Sequence, residues 1–219
     1  MSRSGWLWVV LVFSLTLLVQ WPANWLVRGL ALPAEGVTGT LWQGQAHQLG
    51  DVGPLRWHWQ PWRLQAAAQF GYQGQQWEVQ LRGWPWDWQA RLQTLGIQHT
   101  AEAGYRLAGQ WQGAIHLVGA GRRCQAAQGR IAVDDLALVA PWSLGLGQGW
   151  LQVDCSQGWH LTGQLGLAGQ HRVALAADLL VGQAKLQVEL QADAALLPLL
   201  RSSQWLGPQA TRLERRITW

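Results

Sequence analysis

Ala184-Lys185-Leu186-Gln187-Val188-Glu189-Leu190-Gln191 sets an apolar side chain at every second position, with a polar or charged one between. Successive side chains of a strand point to opposite faces, so this is the pattern of a β-strand with one buried and one wet face. It recurs along the chain. Trp77-Glu78-Val79-Gln80-Leu81-Arg82 alternates without a fault, and so does Leu55-Arg56-Trp57-His58-Trp59-Gln60 until Pro61 stops it. Tyr105 to Gln112, running on to Ile115-His116-Leu117, and Trp159 to Leu167 behave in the same way. Turn signals lie between them, at Gly50-Asp51-Val52-Gly53-Pro54, Gly119-Ala120-Gly121 and Gly145 to Gly149.

Closely spaced strands without helical periodicity between them predict an all-β domain, a curved and mainly antiparallel sheet. One face should carry Trp, Leu, Val and Ile, and the other Gln, Arg, His and Thr. Glycines inside the strands (Gly109, Gly113 and Gly163) favour bulges and curvature. Two segments are expected to be helical. Trp86 to Leu95 follows a proline, and Asp193 to Leu206 is interrupted by Pro198.

Composition fits a sheet with an uncharged polar face. Of 219 residues, 49% are hydrophobic and only 13% charged, and there are 26 Gly and 18 Trp. Such a chain is too rich in aromatics and too poor in charge to be disordered. The net charge of +4 is carried by scattered residues, the densest groups being Arg122-Arg123 and Arg212, Arg215 and Arg216. No basic run of the kind that tracks a phosphate backbone is present, so nucleic acid is not an expected partner.

The N-terminus reads differently. Gly5 to Val19 is uncharged, and the apolar character continues through Trp21-Pro22 to Val27, before Arg28. That is roughly 23 residues, enough to cross a hydrocarbon core of about 30 Å. Trp6, Trp8, Trp21 and Trp25 stand near its two ends, where indoles favour the headgroup zone. A cleaved signal would need a small-x-small site, and Trp21-Pro22-Ala23 and Ala31-Leu32-Pro33 both fit one poorly. The expected organisation is a cytoplasmic tail at 1–4, a transmembrane anchor at 5–27 and a periplasmic β-rich domain at 28–219.

Cys124 and Cys155 are the only cysteines, with no CxxC. An even count in a domain sent across a membrane suggests a disulfide, which in the chain-entropy model would contribute about 3–4 kcal/mol. The alternative is two unrelated buried thiols.

Leu32-Pro33 followed by Gly36-Val37-Thr38-Gly39-Thr40-Leu41-Trp42-Gln43-Gly44-Gln45-Ala46, directly after an apolar segment, resembles the type II secretion system protein N family. Leu55 to Leu64 looks like that family's tryptophan-and-proline segment, and the surroundings of Cys124 and Cys155 resemble its cysteine pair. The likeness runs from the apolar segment to about residue 192. It implies a non-catalytic inner-membrane accessory subunit of the machinery that exports folded proteins across the outer membrane. Its partners would be other inner-membrane and periplasmic subunits of that machinery. The architecture is also similar to AsmA-like β-rich proteins, whose apolar trough suits lipid; a periplasmic lipid-binding or lipid-transfer module is therefore the alternative.

Chemistry is sparse. His47, His58, His99, His116, His160 and His171 show no metal-ligand spacing, and no metal or cofactor is expected. Asp134-Asp135 would point to opposite sides of a strand, which suits a turn or strand end better than a hydrolase dyad. Ser143 lacks the first glycine of a nucleophile elbow, and Gly145, Gly147 and Gly149 read as a flexible turn rather than a phosphate loop. No catalytic residue is expected. The tryptophans remain open to three readings: core filling, a lipid-facing trough or partner surface, and stacking on sugars.

Overall fold

Period-two alternation after the N-terminal helices is realised as hydrogen-bonded strands in a computed structural model that describes residues 3–29, 31–50, 52–97, 106–140 and 143–219; Tyr105, the start of one alternating run, lies outside the described residues. The chain divides into two compact units, residues 1–72 and 73–219.

The first unit begins with two helices, α1 (Arg3–Val19) and α2 (Ala23–Gly29). One uninterrupted helix over 5–27 was expected, and this is corrected: the helical backbone stops before Trp21-Pro22. Proline disfavours helical dihedrals in the residue before it and has no N–H to donate. Here Pro22 instead forms an isolated β-bridge with Thr40. The 17 residues of α1 span about 26 Å. Among the described residues, no helix is long and apolar enough to cross a membrane.

Short strands follow. β1 (Ala34–Glu35) pairs with β4 (Gln48–Leu49), while β2 (Thr38–Gly39), β3 (Gln43–Ala46), β5 (Leu55–Gln60) and β6 (Gln65–Tyr72) form an antiparallel series in the order β2-β3-β5-β6. Between β5 and β6, Pro61–Arg63 makes a single 3-10 turn.

The second unit is a long antiparallel meander. Its strands are β7 (Gln75–Trp84), β8 (Asp87–Ile97), β9 (Arg106–Ala120), β10 (Arg123–Ala140), β11 (Leu144–Asp154), β12 (His160–Leu167), β13 (His171–Asp178), β14 (Gln183–Leu190) and, after helix α3 (Leu197–Ser202), β15 (Arg212–Thr218). Each pairs with its sequence neighbour. Register places the apolar residues in transverse rows on one face. One row is Leu186, Leu175, Gly163, Leu151, Ile131 and Gly113; the next is Val188, Val173, Leu165, Gly149, Val133 and Trp111.

Four expectations are corrected in this unit. Trp86 to Leu95 is not helical: Pro85-Trp86 is a hairpin tip, and Trp88, Ala90 and Leu92 lie on one strand face opposite Gly119, Leu117 and Ile115. Gly145, Gly147 and Gly149 are inside β11, where Gly147 faces Leu136 at a break in register. Asp134-Asp135 is likewise a bulge within β10, with Asp135 at φ 51°. The helix expected over 193–206 shrinks to α3, because Pro198 sits in its first turn, where a missing N–H costs nothing.

Two clusters fill the apolar face. Val188 and Leu190 of β14 are buried with Ala194, Leu197 and Leu206, so α3 and its flanking loops cover that end of the face. Ile115, Ile131 and Val153 form the second cluster with Trp77, Leu92, Trp111 and Leu161 around them.

Candidate functional site

Gly39, Thr40, Leu41, Trp42 and Gly44 form the β2–β3 hairpin of the first unit. Gly39 pairs with Gly44 at φ +96°, in the left-handed region that a side chain rarely tolerates. Thr40 closes the turn: its N–H donates to the Gln43 carbonyl at 2.8 Å, and its hydroxyl accepts from the Gln43 N–H at 3.2 Å. Gly44 directly opposes Trp57, whose ring lies across it. A β-carbon on Gly44 would fall 2.6 Å from the Thr38 carbonyl oxygen and 2.8 Å from Trp57 Cε2. The indole N–H of Trp57 then donates to the Thr40 carbonyl at 3.1 Å. Trp42 packs on Trp59 with centroids 5.1 Å apart.

This hairpin is also where the helices join the sheet. The Leu41 N–H donates to the Trp21 carbonyl at 3.1 Å, Pro22 bridges Thr40, and Ala23 is buried. The motif is therefore a joint, built from backbone hydrogen bonds and packed indoles, and holds no titratable group of its own.

In the second unit Cys124, at the start of β10, and Cys155, just after β11, are linked by a disulfide, with Cα atoms 5.4 Å apart. The pair closes a row of hairpin tips in which the tryptophan–glycine arrangement is repeated. Trp88 lies across the opposing Gly119, where a β-carbon would come within 2.7 Å of Trp88 Cε2. Its indole N–H donates to the Gly121 carbonyl at 2.9 Å. Trp159 stacks on Trp88 at 5.8 Å and donates to the Arg122 carbonyl at 2.9 Å. Sequence reading missed this device, although a signal exists: each glycine sits beside a hairpin turn, opposite a tryptophan at strand register.

Comparison with protein-family models, with characterised proteins and with solved structures finds no match to this chain.

Among the described residues the titratable groups do not converge on a common site. His58 is exposed and meets Gln60 at 2.6 Å, and His160 lies 3.3 Å from the Gln157 carbonyl. His171 is buried, with Nε2 3.1 Å from the Leu146 carbonyl oxygen; burial pushes its pKa below the ordinary value, against the opposing pull of that carbonyl. His99 lies outside the described residues. Asp134 accepts from the Gln112 amide at 2.8 Å. On the polar face the buried Glu78 accepts from Gln80 at 3.0 Å and Gln93 at 2.6 Å. Among the described residues no group of three His, Cys, Asp or Glu is placed to hold a metal.

Among the described residues the apolar face has an opening. Trp111, Ile131, Leu136, Leu165, Val173 and Leu186 help line a groove of about 220 Å³ whose accessible wall is apolar. This is smaller than the roughly 300–1,000 Å³ of ordinary ligand pockets. Trp77 and Trp111 meet edge to face at 69°, a favourable ring geometry, and their indole N–H groups are buried without a partner.

Proposed function

We propose that this chain is a non-catalytic accessory subunit of a type II protein secretion apparatus, anchored in the inner membrane by residues 5–27 with its β-rich part in the periplasm. The observation that carries the reading is the 39–44 hairpin. The residues that resemble the family motif form the joint at which the apolar N-terminal segment meets the sheet, through the Leu41–Trp21 hydrogen bond and the Pro22–Thr40 bridge. A mechanical role at that joint explains why the motif contains glycine, threonine and tryptophan and no titratable group.

Two further features support it. Trp6, Trp8, Val9, Val10, Leu11, Val12, Phe13 and Leu17 are exposed around α1, an arrangement that favours hydrocarbon over water. α1 is a few ångströms shorter than a typical bilayer core, a mismatch that local thinning and interfacial tryptophans accommodate. The disulfide requires an oxidising compartment, and the periplasm is one. In the second unit β15 is an edge strand whose unpaired backbone groups can take up a strand from a partner subunit.

Purification of the full-length protein from its native membrane in mild detergent, with mass spectrometry of proteins and lipids, tests the proposal. Inner-membrane and periplasmic secretion subunits should co-purify. Their absence, with stoichiometric phospholipid in their place, would favour the second reading, a lipid-binding module using the apolar groove. The groove's size limits it to part of an acyl chain unless the face opens further.

A further inference from the structure

The hairpin tips at one end of the second unit form a rim with large apolar side chains at both of its flanks. In an antiparallel meander the turns β7–β8, β9–β10, β11–β12 and β13–β14 all fall at the same end, and here they are hydrogen-bonded in series. The Gly121 N–H donates to the Pro85 carbonyl at 2.7 Å, the Leu179 N–H to the Trp159 carbonyl at 2.9 Å, and the Trp219 N–H to the Gly182 carbonyl at 3.1 Å. Trp159 completes the series through its indole bond to Arg122. At about 4.8 Å per strand, the rim from β7 to β15 runs roughly 38 Å.

Its outward side chains are large and apolar. Trp86 is 66% exposed, Leu180 55%, Val181 61% and Trp219 67%, and Trp84 stacks on Trp86 with planes 8° apart. Their exposure is not that of a few stray surface residues, since the β7–β8 tip, the β13–β14 tip and the end of β15 all contribute, whereas at the β11–β12 tip Trp159 is only half-exposed and the β9–β10 tip offers no large apolar side chain. That tip instead offers Arg122 and Arg123, both exposed, and Arg82 stands near the first. Asp87 is the one exposed carboxylate beside Trp86. Asp154 and Asp178 also lie at this end, but their carboxylates are turned into their own loops. Asp154 accepts from the Ser156 N–H at 2.9 Å, and Asp178 from the Leu180 and Val181 N–H groups at 3.0 and 3.1 Å.

We infer that this rim rests on an anionic bilayer surface, with Trp84, Trp86, Leu180, Val181 and Trp219 at the headgroup–acyl boundary and Arg122 and Arg123 on lipid phosphates. Indoles favour that boundary, and Arg beside them supplies the charge complementarity that anionic lipid answers. Backbone groups bonded from tip to tip lower the cost of partial immersion. Insertion of such apolar elements is expected to reach about 5–10 Å. The inference rests on the proposed membrane anchor for the presence of a bilayer, and its test separates the two.

Full-length protein carrying one nitroxide at Leu180→Cys, Trp86→Cys, Phe13→Cys or Ala168→Cys is reconstituted into phosphatidylethanolamine–phosphatidylglycerol vesicles. Relaxation by oxygen and by a water-soluble nickel complex reports depth at each label. Ala168 belongs to a turn at the opposite end and serves as the aqueous reference. The oxygen-to-nickel ratio should be severalfold higher at 180 and 86 than at 168. Labels at 180 and 86 that match 168, with 13 still in lipid, overturn the rim and leave the anchor standing. A water-exposed label at 13 overturns the anchor. Labels at 180 and 86 shielded from both reagents would mean a protein surface covers the rim, which also overturns the inference.

Discussion

The two ends of the second unit treat the same residue types in opposite ways. At the α3 end, Leu197 and Leu206 fold back over Val188 and Leu190 and are buried. At the hairpin end, Leu180, Val181, Trp86 and Trp219 point outward, and no described segment covers them. The chain therefore has the means to bury its aliphatic side chains and uses it at one end only. What holds the ends together differs accordingly. The α3 end is maintained by apolar packing. The hairpin end is maintained by the Cys124–Cys155 link, the Trp88–Trp159 stack and indole bonds to backbone carbonyls.

Breaking the covalent link should have the largest effect. Reduction, or Cys124→Ser with Cys155→Ser, should lower unfolding free energy by about 3–4 kcal/mol, measured by denaturant titration of the detergent-solubilised protein. A loss below about 1 kcal/mol would mean that the tips hold themselves. Leu197→Ala should follow, at about 2–4 kcal/mol, because it opens a cavity under α3. By contrast, Leu180→Ser with Val181→Ser should change stability by no more than about 0.5 kcal/mol, since neither side chain is packed. A large destabilisation there would erase the contrast between the ends.

The smallest effect concerns His171. Burial depresses its folded-state pKa, so the native protein binds the proton less readily than the unfolded chain does. Its contribution is full above the unfolded value, near 6.5, and is lost as pH falls through the folded pKa. The unfolding midpoint should drop modestly on acidification below that point, and His171→Gln should flatten this part of the profile.

The same contrast marks what could be read from the sequence. Strands β5, β7, β12 and β14 were legible because each has one buried and one wet face, which writes a period of two. The disulfide followed from the count of cysteines. β8 was masked by Pro85, which resembles a helix start and is in fact a hairpin tip. β10 was obscured by its length, its alanines and the bulge at Asp134-Asp135, and the first half of β11 by glycines that looked like a turn, although Leu151 to Cys155 alternates. The helical break at Pro22 follows from proline's local effect on the backbone, but the bridge it makes to Thr40, 18 positions away, is one that local pattern cannot reveal. The GTLWQG motif was legible as a unit, but its role as a joint was not. That role rests on the Leu41–Trp21 hydrogen bond and the Pro22–Thr40 bridge, with Trp57 lying over Gly44, contacts between positions far apart in the sequence.

The most direct test of the account is the release of folded exoproteins by the native bacterium after the chain is removed and then restored. The account predicts that removal lowers release and leaves folded exoprotein in the periplasm. It also predicts that the natural chain restores export, while Gly44→Val, which forces a side chain between Thr38 and Trp57, restores it poorly at equal abundance. Unchanged release on removal would contradict the assignment to protein secretion.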